Sequence, residues 1–161
     1  MRLTTKGRYA VTAMLDLAFH SQINPVTLTD IATRQTISLS YLEQLFARLR
    51  KAGMVKGVRG PGGGYKLSRD PKDISIAQII TAVDEPIDST KCGSKRNCRK
   101  DNQPCLTHDL WMGLSNQIRN YLEGISLAEV LIREPIAELA KKQSQEPQII
   151  EIRQHKKMSA A

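Results

Sequence analysis

The chain has 161 residues, 40% of them hydrophobic, which suits one domain or two small ones with a core that needs no disulfide bonds. No apolar run reaches the roughly 18 residues of a membrane-spanning helix, so we expect no membrane partner. The net charge of +8 is uneven, because residues 1–73 carry 12 Lys and Arg against five Asp and Glu. This half suits a polyanion such as nucleic acid, although a merely solvated basic surface is the alternative.

The first predicted helix covers about residues 6–21 and repeats its apolar side chains at helical spacing. Basic residues ahead of an apolar stretch superficially resemble a signal peptide. However, Asp16 interrupts the stretch and no small-residue cleavage site follows. We therefore interpret the segment as a folded amphipathic helix and expect a cytoplasmic protein.

Two short helices with a tight turn between them come next. Thr27 and Asp30 have the spacing of a cap that opens the second helix. Ser40 and Glu43 have the spacing of a capping box, and Gly53 is well placed to end the third helix. Two such helices, the second ending in cations, have the outline of a helix-turn-helix.

A β-hairpin is predicted directly after the third helix, with strands at residues 54–55 and 65–67 and a glycine-rich turn between them. Glycine loops also bind phosphates, but here no Gly-Lys-Ser/Thr ending is present. We interpret the turn as a thin wing from which Arg59 projects toward a DNA minor groove. The predicted fold is mainly α, a winged helix-turn-helix followed by a long dimerisation helix.

All three cysteines lie in a stretch without periodicity that follows a predicted helix at about residues 76–83. Cys92, Cys98 and Cys105 fall within fourteen residues, and His108 follows three positions after the last. Loops of this length are usually functional or disordered. Three thiolates and one imidazole make a complete ligand set for a metal ion or an iron–sulfur cluster.

Other interpretations of this group are a disulfide with one cysteine left over, and a cysteine nucleophile with His108 as its base. An odd cysteine count fits a disulfide framework poorly, and no motif supports catalysis, so we expect no enzyme. Zinc is the commoner metal for these ligands. The spacing Cys-x5-Cys-x6-Cys-x2-His lacks the short knuckle of most zinc sites, and a 2Fe-2S cluster suits the longer loop better.

A long helix is predicted over about residues 107–123, with more apolar surface than a small domain can cover. Pairing with the same helix of a second chain would bury it, and packing within the monomer is the alternative. A short helix then stops at Pro135, and a polar, unstructured tail follows. The residues expected to form the dimer interface are Leu110, Trp111, Leu114, Ile118, Tyr121 and Leu122.

Three stretches resemble the iron–sulfur cluster regulators, a family of winged helix-turn-helix transcription factors. They are residues 1–11 (MRLTTKGRYAV), 38–50 (SLSYLEQLFARLR) and 58–65 (VRGPGGGY), and Cys-Leu-Thr-His at 105–108 lies where that family holds its cluster. The resemblance covers about residues 1–131. The gap before Cys105 is six residues, where the family pattern has five.

This resemblance implies a homodimer that binds double-stranded DNA and carries a 2Fe-2S cluster on Cys92, Cys98, Cys105 and His108. It implies repression of cluster-assembly genes when the cluster is present, binding to a second class of DNA site without it, and cluster donor proteins as partners. A zinc-stabilised winged-helix regulator without cluster sensing is the alternative.

These features together divide the chain into three parts. Residues 1–73 form the DNA-binding domain, residues 74–135 hold the cluster loop and the dimerisation helices, and residues 136–161 form the tail. The expected DNA contacts lie on the third helix, the wing and the N-terminus. They are Arg2, Ser38, Ser40, Tyr41, Glu43, Gln44, Arg48, Arg50, Lys51 and Arg59.

Overall fold

The computed structural model of the protein describes residues 4–90 and 92–145. Among these residues no helix is both long enough and apolar enough to cross a membrane. The elements in chain order are α1 (Thr5–His20), α2 (Leu28–Gln35), α3 (Leu39–Lys51), β1 (Val55–Val58), β2 (Gly64–Leu67), a 3-10 helix (Pro71–Asp73), α4 (Ile76–Ala82), α5 (His108–Glu123), α6 (Leu127–Leu131) and α7 (Glu134–Gln145).

The starts of α2 and α3 are set by polar caps. Thr27 and Asp30 form a reciprocal capping box at α2, as the spacing predicts. At α3 the cap is Ser38, which has an extended backbone and accepts a hydrogen bond from the N–H of Tyr41. The prediction of a capping box at Ser40 was therefore wrong, because Ser38 already satisfies the helix start and Ser40 lies inside the first turn.

The wing is a two-stranded antiparallel sheet of β1 and β2, in register from Val55 opposite Leu67 to Val58 opposite Gly64. Tyr65 of β2 also exchanges backbone hydrogen bonds with Val26, which anchors the hairpin to the α1–α2 connection. The tip contains two glycines with positive φ, as the turn chemistry requires. The predicted fold class, a winged helix-turn-helix with a small β-hairpin, is confirmed.

One hydrophobic core joins the DNA-binding half to the elements that follow it. Leu17 of α1, Phe46 of α3, Ile79 of α4 and Leu127 of α6 belong to the same buried cluster. The predicted boundary at residue 73 therefore does not separate two cores, and the three-part division stays a functional prediction.

Asp16, which interrupts the apolar stretch of α1, is a buried carboxylate with partners on α2. Its two oxygens accept hydrogen bonds from the Arg34 guanidinium at 2.6 and 2.9 Å, and the amide of Gln35 donates to one of them at 2.7 Å. A bidentate arginine makes a buried carboxylate tolerable. The pair joins α1 to α2 within the helix-turn-helix.

The tail prediction needs correction for residues 136–145, because α7 covers them. Its proline falls in the first turn, where a missing N–H costs no helical hydrogen bond. Ile136, Leu139 and Ala140 recur at helical spacing and line a small cavity against α1. The amide of Gln35 also donates to the side-chain oxygen of Gln143 at 2.9 Å. The remaining tail residues, 146–161, lie outside the described part of the chain.

Candidate metal site and nucleic-acid interface

Three of the four predicted ligands lie together at the start of α5. The sulfur atoms of Cys92 and Cys98 are 3.3 Å apart, and Nδ1 of His108 lies 3.5 Å from the first and 3.2 Å from the second. All three donor atoms lie within 4.8 Å of one another. His108 is the first residue of α5 and is almost fully buried, so the helix fixes the direction of its ring.

Cys105 lies slightly apart from this group. Its sulfur atom is 3.7 Å from the Thr107 hydroxyl, yet the residue lines a cavity of about 280 Å³ together with Cys98 and His108. The chain therefore gathers three donors tightly and places the fourth at the wall of the same cavity.

The thiol of Cys92 ionises easily. Burial alone would raise its pKa, but hydrogen bonds from Cys98, Thr90 and the backbone of Arg96 outweigh that effect, and His108 adds a favourable charge. The net result lowers the pKa of Cys92 to about 6. Thiolate is the form that binds metals, so this cysteine is prepared for ligation near neutral pH.

The pKa values of the other two thiols shift in opposite directions. The hydrogen bond with Thr107 lowers the pKa of Cys105. A backbone hydrogen bond from Cys105 favours the thiolate of Cys98, but burial and the neighbouring sulfur atoms outweigh it and raise the pKa of Cys98. A hydrogen bond or a positive charge favours a thiolate and a second nearby thiolate disfavours it. A cation bound between the sulfur atoms would remove that repulsion.

The donor set fits zinc or an iron–sulfur cluster. Soft thiolates and an imidazole are the ligands that both centres use in proteins. Among the described side chains, Nε2 of His108 is buried without a hydrogen-bond partner. The ring of His108 therefore faces the two sulfur atoms with Nδ1. Nδ1 is the atom that would bind a metal held by these sulfur atoms.

The segment between Cys98 and Cys105 contains a turn of its own. The N–H of Asn102 donates to the Arg99 carbonyl at 3.1 Å, and the N–H of Arg99 donates to the Gln103 carbonyl at 3.1 Å. Asn102 has a left-handed backbone with a φ of 58°. The turn brings the two ends of the segment together and leaves its tip exposed.

The exposed face of α3 is the candidate major-groove surface. Ser40, Glu43, Gln44 and Lys51 are exposed and follow one another at helical spacing. Arg59 is exposed on the wing. Together these side chains make a polar surface with cations at its end and on its flank.

Other predicted DNA contacts have partners inside the protein. Ser38 caps α3, Tyr41 packs edge-to-face against Tyr9 with ring centroids 5.9 Å apart, and Arg48 forms an ion pair with Asp84. Arg50 is exposed. Arg2 lies outside the described residues.

The predicted dimer face of α5 divides into two parts. Leu110, Trp111, Leu114 and Tyr121 are exposed, with Leu110 and Tyr121 at 64% and 65%. Ile118 and Leu122 instead pack against the chain's own core. Both residues are half-buried in the single chain, and their place in the dimer interface stays a prediction.

The sequence did not single out Asp88 and Ser115, whose side chains form hydrogen bonds on and beside the cysteine loop. Asp88 accepts hydrogen bonds from residues of the loop, and Ser115 is a buried polar residue of α5. The spacing of Ser115 could have indicated its position, because it follows His108 by seven residues and so lies on the same face of the helix. Asp88 resembles an ordinary turn residue, and nothing in its spacing marks it.

A winged helix-turn-helix with a polar recognition helix defines a class of DNA-binding transcriptional regulators. A family model described as Rrf2, iron-dependent transcriptional regulator, matches residues 3–133. The chain belongs to this family. It is accordingly a transcriptional regulator and not an enzyme.

Curated relatives carry the name HTH-type transcriptional regulator IscR. The chain is 58% identical over 144 residues to the protein from Yersinia pseudotuberculosis, a match that covers 89% of this chain and 87% of the relative. It is 57% identical over 143 residues to the one from Vibrio cholerae, covering 89% and 82%.

Solved structures are similar as well. T. potens IscR matches with a TM-score of 0.67 and 37% identity, covering 92% of this chain and 93% of that one. The global cysteine regulator CymR of B. subtilis matches with a TM-score of 0.69 and 33% identity, covering 81% and 95%.

Proposed function

We propose that this regulator senses iron–sulfur cluster status through a 2Fe-2S cluster held by Cys92, Cys98, Cys105 and His108, and represses cluster-assembly genes when the cluster is bound. The observation that carries the proposal is the gathering of two sulfur atoms and an imidazole nitrogen within 4.8 Å beside a winged helix-turn-helix. The name shared by the curated relatives supports it. Cluster donor proteins are the proposed source of the cluster, and the location of chromosomal DNA makes the cytoplasm the proposed compartment.

DNA recognition falls to α3 and the wing. With α3 in a major groove, Ser40 and Gln44 reach base edges or phosphates, and Glu43 accepts from a cytosine amino group. A carboxylate beside phosphates is costly without such a donor, so Glu43 disfavours sequences that lack it. Arg59 on the wing inserts its cation into the negative potential of a minor groove.

The contacts of residues 83–88 support a link between the loop and the DNA-binding helices. The Arg48 guanidinium of α3 binds Asp84 and donates to the Val83 carbonyl at 3.4 Å. The buried carboxylate of Glu85 accepts hydrogen bonds from Thr4 and from the N–H of Gly7, at the start of α1. A cluster that orders the cysteine loop therefore acts on a segment already bonded to α1 and α3, and so biases which DNA sites are tolerated.

Anaerobic purification followed by visible absorption and metal analysis tests the cluster. The expected result is iron, sulfide and a visible chromophore, all lost in Cys92→Ala. Stoichiometric zinc without a chromophore would overturn the cluster and support the zinc-stabilised regulator.

A binding series with wild type and Cys92→Ala on a panel of promoter fragments tests the regulation. We expect the two proteins to rank the fragments differently, because only wild type can hold the cluster that restrains the loop further. Identical affinities on every fragment would contradict cluster-dependent regulation. A Thr29→Ala variant, changed at an exposed side chain of α2 away from the cysteine loop, should behave as wild type.

A further inference from the structure

We propose that Asp88 and Ser115 are positioning residues that hold Cys92 beside His108 so that the cluster is retained. The inference rests on the proposed cluster site and adds two residues outside its ligand set. It concerns how firmly the loop is attached to α5, a feature that the ligand spacing leaves open.

Asp88 closes the loop around Cys92. One carboxylate oxygen accepts from the N–H of Thr90 at 2.6 Å, and the other accepts from the Ser94 hydroxyl at 2.7 Å. The N–H of Ser94 donates to the Thr90 hydroxyl at 2.8 Å, which adds a third bond to the same ring of contacts. Residues on both sides of Cys92 are thus tied to one carboxylate.

Ser115 ties this closed loop to the helix that carries His108. Its side chain is 1% exposed, its oxygen accepts from the N–H of Ser89 at 2.7 Å, and its hydroxyl donates to the Trp111 carbonyl at 2.8 Å. Since both capacities of the hydroxyl are used, Ser115 has a fixed orientation. The residue next to Asp88 is therefore anchored to α5 two turns from His108.

These bonds matter to ligation because the cysteines lie on irregular backbone. Ordering such a loop costs conformational entropy for every residue that becomes fixed. Hydrogen bonds present before ligation reduce the part of this entropy cost that cluster binding must offset. Asp88 suits this role better than an amide would, because an ionised carboxylate accepts at both oxygens whereas an amide accepts at only one. Its hydrogen bonds also hold the pKa of Asp88 below its ordinary value, against the effect of burial.

The test uses full-length protein reconstituted anaerobically with ferrous iron and sulfide. The measurement is the rate at which visible absorption disappears in excess chelator. We expect Asp88→Asn and Ser115→Ala to lose the chromophore at least about tenfold faster than wild type, the effect of losing one hydrogen bond to a charged or buried group. Glu138→Gln removes an exposed carboxylate of α7, which lies against α1, and should lose the chromophore at the wild-type rate.

Thermal unfolding of the cluster-free variants separates positioning from folding. The proposal expects their midpoints to stay near that of cluster-free wild type, because the affected bonds lie in the loop and on one face of α5. If Ser115→Ala does not fold, Ser94→Ala carries the test, since it removes one exposed hydroxyl that bonds Asp88.

If Asp88→Asn, Ser115→Ala and Ser94→Ala all lose the chromophore at the Glu138→Gln rate, this inference alone is overturned. A wild-type protein that forms no chromophore would overturn the cluster proposal and, with it, the inference.

Discussion

At the scale of single residues, buried carboxylates form hydrogen bonds that connect separate structural elements of this protein. Glu85 is 6% exposed and accepts three hydrogen bonds at the start of α1. Two come from the N-cap residue Thr4, including one from its hydroxyl at 2.6 Å, and the third comes from the N–H of Gly7. Burial raises the pKa of Glu85, but these bonds outweigh it and leave the pKa below its ordinary value of 4.5. The ionised form of Glu85 therefore stabilises the folded state.

Glu85→Gln should lower the free energy of unfolding by about 1–3 kcal/mol near neutral pH, because a charged acceptor is lost at a buried position. The folded-state pKa is depressed, so the contribution is complete above the ordinary value of 4.5 and is lost as the pH falls through the lowered pKa. Urea unfolding of both proteins at several pH values should show the difference shrinking toward acid. Glu123→Gln, at an exposed residue of α5, is the control and should change little. A difference that stays constant with pH would contradict this account.

The ligands show what a sequence can and cannot reveal about a site. Cys92, Cys98 and His108 could be named from residue type and spacing, because few structural roles cluster three cysteines and a histidine in this way. The separate position of Cys105 could not, since it depends on the path of an irregular loop. Asp88 and Ser115 escaped notice because their bonds go largely to backbone groups, and backbone partners leave no pattern in the sequence.

At the scale of elements, helix existence was predictable and helix limits were less so. Strong apolar periodicity predicted α1, α3 and α5. At the start of α3, however, both Ser38 and Ser40 are residue types that cap helices, and only the backbone geometry decides between them. In α7, Lys and Gln around Ile136 and Leu139 made the segment resemble a solvated tail. Its apolar residues needed a partner surface on α1, which a local pattern does not reveal.

The wing gives a prediction at this scale, because Gly63 at its tip lies too close to neighbouring backbone to carry a side chain. A Cβ on Gly63 would lie 2.4 Å from the Val58 carbonyl oxygen and 2.8 Å from that of Gly60. Gly63→Ala must therefore open the turn, and we expect it to weaken promoter binding about tenfold, which corresponds to about 1.4 kcal/mol. Fluorescence anisotropy with labelled promoter DNA measures the effect.

Gly57→Ala is the matched control for the wing, because a Cβ there meets nothing within 4 Å. It should bind DNA as wild type does. Equal DNA affinities for Gly63→Ala and Gly57→Ala would show that the shape of the tip does not matter for binding.

At the scale of the whole molecule, the exposed apolar side chains of α5 require an explanation. Leu110, Trp111, Leu114 and Tyr121 lie on a helix whose other side packs on α4 and the core, so residues 4–90 and 92–145 do not bury them. A two-fold dimer through this face would bury them and would present two recognition helices to successive major grooves. The sequence indicated this surface, but not that Ile118 and Leu122 also pack against the core of their own chain.

Leu114→Glu should convert a dimer into a monomer, because it places a charge in an apolar interface. Sedimentation equilibrium measures the mass, and binding to a two-half-site promoter should weaken along with it as bivalent contact is lost. Ile132→Glu changes another exposed apolar residue, at the end of α6, and should leave the dimer intact. Monomeric wild-type protein would contradict the dimer predicted from the sequence.

The turn between Cys98 and Cys105 has a consequence for how this loop can vary. Its own backbone bonds, from Arg99 to Gln103 and from Asn102 to Arg99, join the ends, so the distance between the two cysteines does not grow with each added residue. The six-residue gap is accommodated by a left-handed residue at an exposed tip. Insertions at this tip should therefore be tolerated, and a short epitope or fluorophore tag could be grafted there without moving the ligands.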